Sequence, residues 1–469
     1  MYGPKRDEYT ICAMATPPGR GGISVIRISG SQAVKKVRQL CKFLPEAWDS
    51  HRAYYGLLSS AVTGEAVDEV VATLFAEGRS YTGEETVELS CHGSPVVVEH
   101  IMSELLVAGC HVALPGEFTY RAFMRGRIDL VQAESVLRLI ESQSRQSARL
   151  ALRQLRGGFS DKLNQLQDTL TWLGAQFEAS IDFSEENIEV VAAESLLDRV
   201  QTIRKTIESL LASYRVGRLL HEGVSVALIG RPNVGKSSLL NRLIGEERAI
   251  VTAVPGTTRD VIEGRVSIGA THFNFFDTAG LRETVDEVES IGIERARKTV
   301  DEVDVLIYVV DGSDPLRTED LANVAKLPEK PLAIIFNKMD LATQSSQELS
   351  GQFRRGLAGY GVGQGVSPYF FISAKTGEGL EHLIAFLSGF AEVEIPEQGA
   401  VVTQARQAAG LSDILGCITR LEEMLSQGAS PEFPAFEVQT ALRSLHGILG
   451  TEYDDQVMDR VFREFCIGK

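Results

Sequence analysis

No apolar run in this 469-residue chain approaches the length needed to cross a bilayer. The longest, such as Val305 to Val310, fall far short of the roughly 20 residues that a membrane-spanning helix requires. The opening MYGPKRDEY lacks the apolar segment of a signal peptide, so a soluble, cytoplasmic protein is expected. Cysteine is scarce as well. The six, at 12, 41, 91, 110, 417 and 466, form neither a CxxC pair nor a disulfide framework, and five of them read as small buried hydrophobes. The 43 Gly and 15 Pro show no collagen-like or linker-like excess, and 44% hydrophobic with 23% charged residues excludes disorder throughout. Positive charge is in deficit, with a net charge of −16. A uniformly acidic surface repels phosphates, so contact with nucleic acid requires a local basic patch or a partner's surface.

At roughly 150 residues per domain the length suggests about three domains. Residues 1–120 read as mixed α and β. Strand-like runs at Ile23 to Ile28, Glu69 to Phe75 and Thr86 to Ser90 alternate with a helix-like stretch, Pro95 to Ala108. Residues 121–222 are helical. Leu152, Leu155, Phe159, Leu163, Leu166, Leu170, Leu173 and Phe177 form one apolar stripe, and Leu196 to Tyr214 repeat the signal, which predicts a bundle. Residues 223–390 return to a βαβα rhythm, with strands expected at VSVALIG, Phe273 to Phe276, Val305 to Val310, Leu332 to Phe336 and Tyr369 to Ile372. Residues 391–469 are helical again. The simplest architecture is a doubly wound nucleotide-binding α/β domain inserted into a helical domain.

Between Arg121 and Arg156 stand eight Arg against three acidic residues. Solvated arginines whose stems cover apolar surface explain this best, with an RNA-contacting patch as the sharper alternative.

Gly230 to Ser237, GRPNVGKS, fits GxxxxGK[ST] and stands between an apolar strand and the helix-like SLLNRLIG. Backbone amides of Asn233, Val234 and Gly235 would wrap phosphates, Lys236 would bridge the β- and γ-phosphates, and the Ser237 hydroxyl would ligate Mg²⁺, followed by Ser238. Asp277-Thr278-Ala279-Gly280 ends a strand and offers a carboxylate to the Mg²⁺ shell. Asn337-Lys338-Met339-Asp340 and Ser373-Ala374-Lys375 follow the next strands in order. The Asp340 carboxylate can accept both guanine N1–H and the exocyclic amine. An acceptor left unpaired by adenine makes discrimination on the order of 10⁴ plausible, so the nucleotide is GTP. Two departures stand out. Leu281, after DTAG, cannot hydrogen-bond an attacking water, and no arginine finger is evident, although Arg259 and Arg282 are nearby.

The ends of the chain carry a resemblance. Ala15-Thr-Pro-Pro-Gly-Arg-Gly-Gly22, Ile26-Arg-Ile-Ser-Gly30, Tyr81-Thr-Gly-Glu-Glu85, Pro115-Gly-Glu-Phe118, Asp129-Leu130 and the terminal Phe465-Cys-Ile-Gly-Lys469 resemble the MnmE (TrmE) family of tRNA-modification GTPases over essentially the whole chain. The segment Thr252-Ala253-Val254-Pro255-Gly256-Thr257-Thr258 resembles switch I of Era-like bacterial GTPases, with Thr258 as second Mg²⁺ ligand.

The resemblance implies an N-terminal domain that binds a reduced folate as one-carbon donor and dimerises. Its folate contacts carry over to Arg27, Glu88, Arg127 and Lys469. Chemically, a guanidinium matches the carboxylates of a folate tail, and Glu accepts from pterin N–H groups. The resemblance further implies a homodimer with an FAD-carrying MnmG-type partner, and modification at C5 of the wobble uridine of certain tRNAs. It also implies a K⁺ ion held by Asn233, Thr252, Val254 and Thr257 in place of an arginine finger, with Glu289 orienting the water. Cys466 is placed near the folate, as nucleophile or packing residue. A ribosome-assembly GTPase of the Era-like type would need a KH-like module or a second P-loop, and neither is apparent. A folate-dependent one-carbon transferase merely regulated by GTP is the third reading.

Overall fold

Along β2 (Ile23–Ser29) the side chains of Ser24, Ile26 and Ile28 are buried, whereas Val25 and Arg27 are half-buried and point the other way. That period of two is what a strand covered on one face demands. The computed structural model describes residues 8–182, 193–245, 264–268, 271–277, 300–360, 367–391, 400–452 and 455–469. The chain divides into two compact units, one made of residues 1–141, 150–212 and 405–469, the other of 142–149 and 213–404.

The first unit holds a six-stranded sheet together with a helical part. Besides β2 the strands are β1 (Ile11–Met14), β3 (Ala53–Ser59), β4 (Ala66–Phe75), β5 (Thr86–His92) and β6 (His111–Val112), in the order β3-β4-β5-β2-β1-β6. Only β1 and β6 pair in parallel. Helices α1 (Ala33–Leu40) and α2 (Pro95–Val107) cover one face, packing Val37, Leu40, Ile101 and Leu105 against Ile26, Ile28, Val87 and Leu89. The register of β2 against β5 sets Arg27 opposite Glu88 on the other face.

The helical part corrects one expectation. The stripe from Leu152 to Phe177 is not continuous, because α5 (Arg145–Leu155) ends before Gly157 and α6 (Ser160–Asp182) begins after it. Gly157 has φ +93°, a left-handed backbone that ends a helix. Leu152 is accordingly 40% exposed, whereas Leu163, Leu166, Leu170, Leu173 and Phe177 are buried. They pack in a bundle with the helices Ala405–Ser426 and Glu432–Leu449. The arginine run is also less uniform than it reads. Arg121 is 2% exposed and pairs at 3.0 Å with both Glu84 and Glu117, so it is a core ion pair rather than part of a patch.

The second unit is a doubly wound sheet in the order β12-β11-β10-β7-β9-β8. Its strands are β7 (Val224–Ile229), β8 (Gly264–Ile268), β9 (Thr271–Asp277), β10 (Val305–Asp311), β11 (Leu332–Asn337) and β12 (Tyr369–Phe371). All neighbours are parallel except the edge pair β8 and β9. Every residue of β10 is buried because both faces are covered. Ile307 and Val309 join the core shared with Leu239 and Leu383, while Tyr308 and Val310 join the one shared with Leu321, Leu349 and Phe353. The winding reverses between β7 and β10, which places a crevice at the carboxyl ends of these strands.

Candidate functional site

The loop after β7 takes a geometry that depends on its two glycines. Gly230 takes φ +151°, and a Cβ there would stand 2.4 Å from the Val309 carbonyl oxygen. Asn233 sits at φ +64° and Gly235 at φ +95°. Helix α8 (Lys236–Gly245) follows, so the positive end of its dipole faces the crevice mouth. Lys236 is 5% exposed, and its ammonium donates to the carbonyls of Gly230 and Arg231, each at 3.0 Å. Val234 is buried, whereas Ser237 and Ser238 at the start of α8 are exposed.

Asn337 joins the loops. Its Nδ2 donates to Val234 O at 2.9 Å and its Oδ1 accepts from the Ala374 amide at 3.0 Å. Its own carbonyl accepts from the Gly312 amide at 2.7 Å. A Cβ on Gly235 would lie 2.3 Å from Asn337 Nδ2, so glycine there is what lets the two loops approach. Lys338, at φ +64°, places Nζ 2.6 Å from Asp311 Oδ2. Burial pushes the Asp311 carboxyl up, but the Lys338 ammonium and the hydrogen bonds from Ser313 outweigh it and hold the group below the usual carboxylate range. Ser373 Oγ donates to Asp340 Oδ1 at 2.7 Å and accepts from the Thr376 amide at 3.2 Å, which fixes the rotation of the exposed Asp340. Lys375 is exposed beside them.

The structure therefore brings together Asn233, Val234, Gly235, Lys236, Ser237, Ser238, Asn337, Lys338, Asp340, Ser373, Ala374 and Lys375. Asp277 ends β9, opposite Leu228. Thr252, Ala253, Val254, Pro255, Gly256, Thr257, Thr258, Thr278, Ala279, Gly280, Leu281 and Glu289 lie outside the described residues, as do Arg259 and Arg282. Sequence reading missed Asp311 as the partner of Lys338. Its place just after the expected strand Val305 to Val310, where ligand loops begin in this fold, was the available signal. It also missed Arg242, which reaches from α8 to the Thr376 carbonyl at 2.9 Å.

The second cluster lies in the first unit. Arg27 Nε donates to Glu88 Oε1 at 2.9 Å, with the pair 19% and 27% exposed. The guanidinium carbon stands 5.6 Å from the ring centres of both Tyr81 and Phe118, a cation–π distance. Burial pushes the Tyr81 hydroxyl up, against the lowering effects of its bond with Thr119 and of the Arg27 charge. Phe118, in α3 (Glu117–Met124), donates its amide to Lys469 O at 3.1 Å. Arg27, Glu88 and Lys469 are thus connected through Phe118, an aromatic residue with no polar group to mark it as part of a site. Arg127 is exposed. It packs its stem against Gly83, in the loop that carries Tyr81. It also lines an open cavity of about 410 Å³ with Phe123, Asp129, Gln132, Leu449 and Thr451, which neither Arg27 nor Glu88 lines. Five cysteines are buried, and Cys466 is exposed.

The family model described as GTP-binding protein TrmE N-terminus matches residues 10–127, and that of the MnmE helical domain matches residues 130–466. A protein named tRNA modification GTPase MnmE from Bdellovibrio bacteriovorus is 46% identical over 99% of this chain and 98% of its own length. Proteins of the same name from Syntrophotalea carbinolica and Moorella thermoacetica are each 40% identical, covering 99% and 98% of this chain and 100% of their own lengths. The chain belongs to the MnmE family of tRNA modification GTPases.

Proposed function

We propose that this chain hydrolyses GTP and uses the hydrolysis cycle to support modification of C5 of the wobble uridine in certain tRNAs. The observation that carries the reading is Asn337, which ties the phosphate loop to the loop of Ala374 and thereby sets Lys236 and Asp340 at the ends of one crevice. In this reading Lys236 exchanges its two carbonyl partners for the β- and γ-phosphates, where negative charge accumulates in the transition state. Asp340, held by Ser373, accepts from guanine. Asn233, Val234, Gly235, Ser238, residues 252–258, Asp277 to Gly280, Lys338, Ala374 and Lys375 complete the nucleotide site.

The donors present suit hard cations. Ser237, exposed at the head of α8, would hold Mg²⁺ with Thr258, and Asn233 would hold K⁺ with Thr252, Val254 and Thr257. Bound there, the two ions would supply positive charge to the phosphates. Glu289 orients the attacking water in place of Leu281. The half-buried Arg27–Glu88 pair offers a guanidinium and a carboxylate side by side, the donor set a reduced folate requires, with Arg127 and Lys469 contributing further positive charge. The folate would supply a one-carbon unit, and Cys466 stands exposed nearby in sequence to Lys469.

Residues 1–120 form the folate-binding and dimerising domain, 121–222 and 391–469 the helical domain, and 223–390 the G domain. The working assembly is a homodimer with an MnmG-type FAD protein, acting on tRNA in the cytoplasm. Among the described residues no helix is long and apolar enough to cross a membrane. Two measurements test the proposal. Mass spectrometry of tRNA from a strain lacking the gene should show loss of the wobble modification, and intact modification would refute the reading. GTP turnover should be faster in K⁺ than in Na⁺ and lose that preference in Asn233→Ala, whereas equal rates in the two salts would remove K⁺ from the site.

A further inference from the structure

Resting on the GTPase reading, we propose that Asp320 is a positioning residue for GTP hydrolysis, fixing through Arg231 the carbonyl at which the P-loop lysine rests. Arg231 is the second residue of the loop, and its side chain reaches Asp320. Nε lies 3.0 Å from both carboxylate oxygens of Asp320. Asp320 is wholly buried and the Arg231 side chain is 10% exposed, so the pair is sealed from solvent. A sealed pair holds its geometry tightly, because withdrawing either partner strands a charge in a poor solvent.

Asp320 is itself held. It sits in the short helix Thr318–Val324 and accepts from Tyr308 OH at 3.1 Å, while Asn323 Nδ2 lies 3.4 Å from the same hydroxyl. Burial raises the Tyr308 hydroxyl well above its ordinary range, so it stays protonated and donating. Tyr308 pairs in register with Ile229, the residue before Gly230. The carboxylate is therefore tied to β10, the strand paired with the β7 end from which the loop departs.

What this frame controls is the Arg231 main chain. Lys236 Nζ lies 3.0 Å from Arg231 O and 3.0 Å from Gly230 O. Gly230 is fixed by its close approach to Val309 O. The Arg231 carbonyl belongs to the peptide bond with Pro232, whose ring already narrows the backbone choices of Arg231, and the side-chain pair adds the second restraint. Turning the Arg231 peptide would drag the guanidinium off Asp320. The path Tyr308–Asp320–Arg231–Lys236 thus runs from the sheet to the ammonium that meets the transferring phosphoryl group. A plain fold staple would affect stability and nucleotide affinity alike, whereas a positioning residue affects the rate at saturation most.

The test uses the full-length protein at saturating GTP in single turnover, alongside calorimetry with GDP. Misplacement of the lysine by a fraction of an ångström should slow Asp320→Asn by about tenfold, and Tyr308→Phe, which keeps the ring and the charge pair, by about two- to threefold. GDP affinity should change by less than about twofold in Tyr308→Phe, which decides the matter even if Asp320→Asn does not fold. Wild-type protein that hydrolyses no GTP would overturn the GTPase reading itself. An active wild type with Tyr308→Phe at the same rate would overturn the positioning role, as would rate and GDP affinity falling in parallel.

Discussion

The side-chain amide of Asn337 donates to the main-chain carbonyl of Val234 at 2.9 Å, across a gap that a side chain on Gly235 would close. The same side chain accepts from Ala374, so one buried amide couples the loop after β7 to the loop after β12. Asn337→Ala removes both partners at once, and each buried backbone group left without a bond costs about 1–3 kcal/mol. Since about 1.4 kcal/mol is a factor of ten, GDP affinity should fall at least about tenfold. Calorimetry returning an unchanged dissociation constant would show that the loops hold their spacing without Asn337.

Asp340→Asn exchanges an acceptor-only carboxylate for a group with one acceptor and one donor, while Ser373 can still bond the oxygen that remains. Guanine presents two donors at its edge, whereas xanthine presents a carbonyl where guanine has the amine. The variant should therefore lose GTP and gain xanthosine triphosphate in a competition assay, with the preference moving by about a hundredfold or more. An unchanged ranking would remove Asp340 from base selection.

The Lys338–Asp311 pair carries a pH signature. Burial disfavours the Asp311 charge, but Lys338 Nζ at 2.6 Å and the two bonds from Ser313 lower its folded-state pKa below the unfolded value of about 3.9. A lowered carboxylate pKa contributes stability that is fully present above the unfolded value and lost as pH falls through the folded one. The advantage of wild type over Asp311→Asn should thus be constant from about pH 7 down to about pH 5 and shrink below about pH 4. Protection of the β10 and β11 amides in hydrogen exchange measures it locally. A difference that does not vary with pH would mean that Asp311 acts through shape alone.

What was legible in the sequence follows from the range of each interaction. The strand of VSVALIG, the loop glycines and the residues 337–340 and 373–375 are contiguous patterns with local causes, and each stands at a strand end in the sheet. The partners of those residues are not local. Asp311 reaches Lys338 across 27 positions, and Asp320 reaches Arg231 across 89, so only the folded sheet reveals either pair. The apolar stripe misled at Leu152 because spacing continues through Gly157 and Gly158, whereas the backbone does not. Arg121 read as one of a charged run, and only the neighbouring Glu84 and Glu117 show it to be core. Phe118 was quoted as part of a motif, yet its position between Arg27 and Lys469 depends on three separate elements meeting.

That meeting yields the last prediction. Gly468 takes φ +100°, and a Cβ on it would stand 2.1 Å from Met14 O, inside any tolerable contact. Only glycine lets the terminal segment lie against β1, where the Gly116 amide meets Cys466 O at 3.4 Å and the Phe118 amide meets Lys469 O at 3.1 Å. Gly468→Ala combines a left-handed backbone, which costs a residue with a Cβ about 1–2 kcal/mol, with that clash, and the segment must lift. Lifting it withdraws Lys469 from Phe118, whose ring lies 5.6 Å from the Arg27 guanidinium. If the Arg27 cluster holds a reduced folate, calorimetry with 5-formyltetrahydrofolate should show affinity reduced about tenfold or more, in line with the free energy lost. GTP turnover should stay within about twofold of wild type, because the phosphate loop and this segment belong to different compact units. Ile467→Ala is the control: that side chain is 56% exposed, and its removal should leave folate binding unchanged. Equal folate affinity in Gly468→Ala and wild type would separate the terminal segment from the site, and a parallel loss in Ile467→Ala would point to general disturbance of the terminus instead.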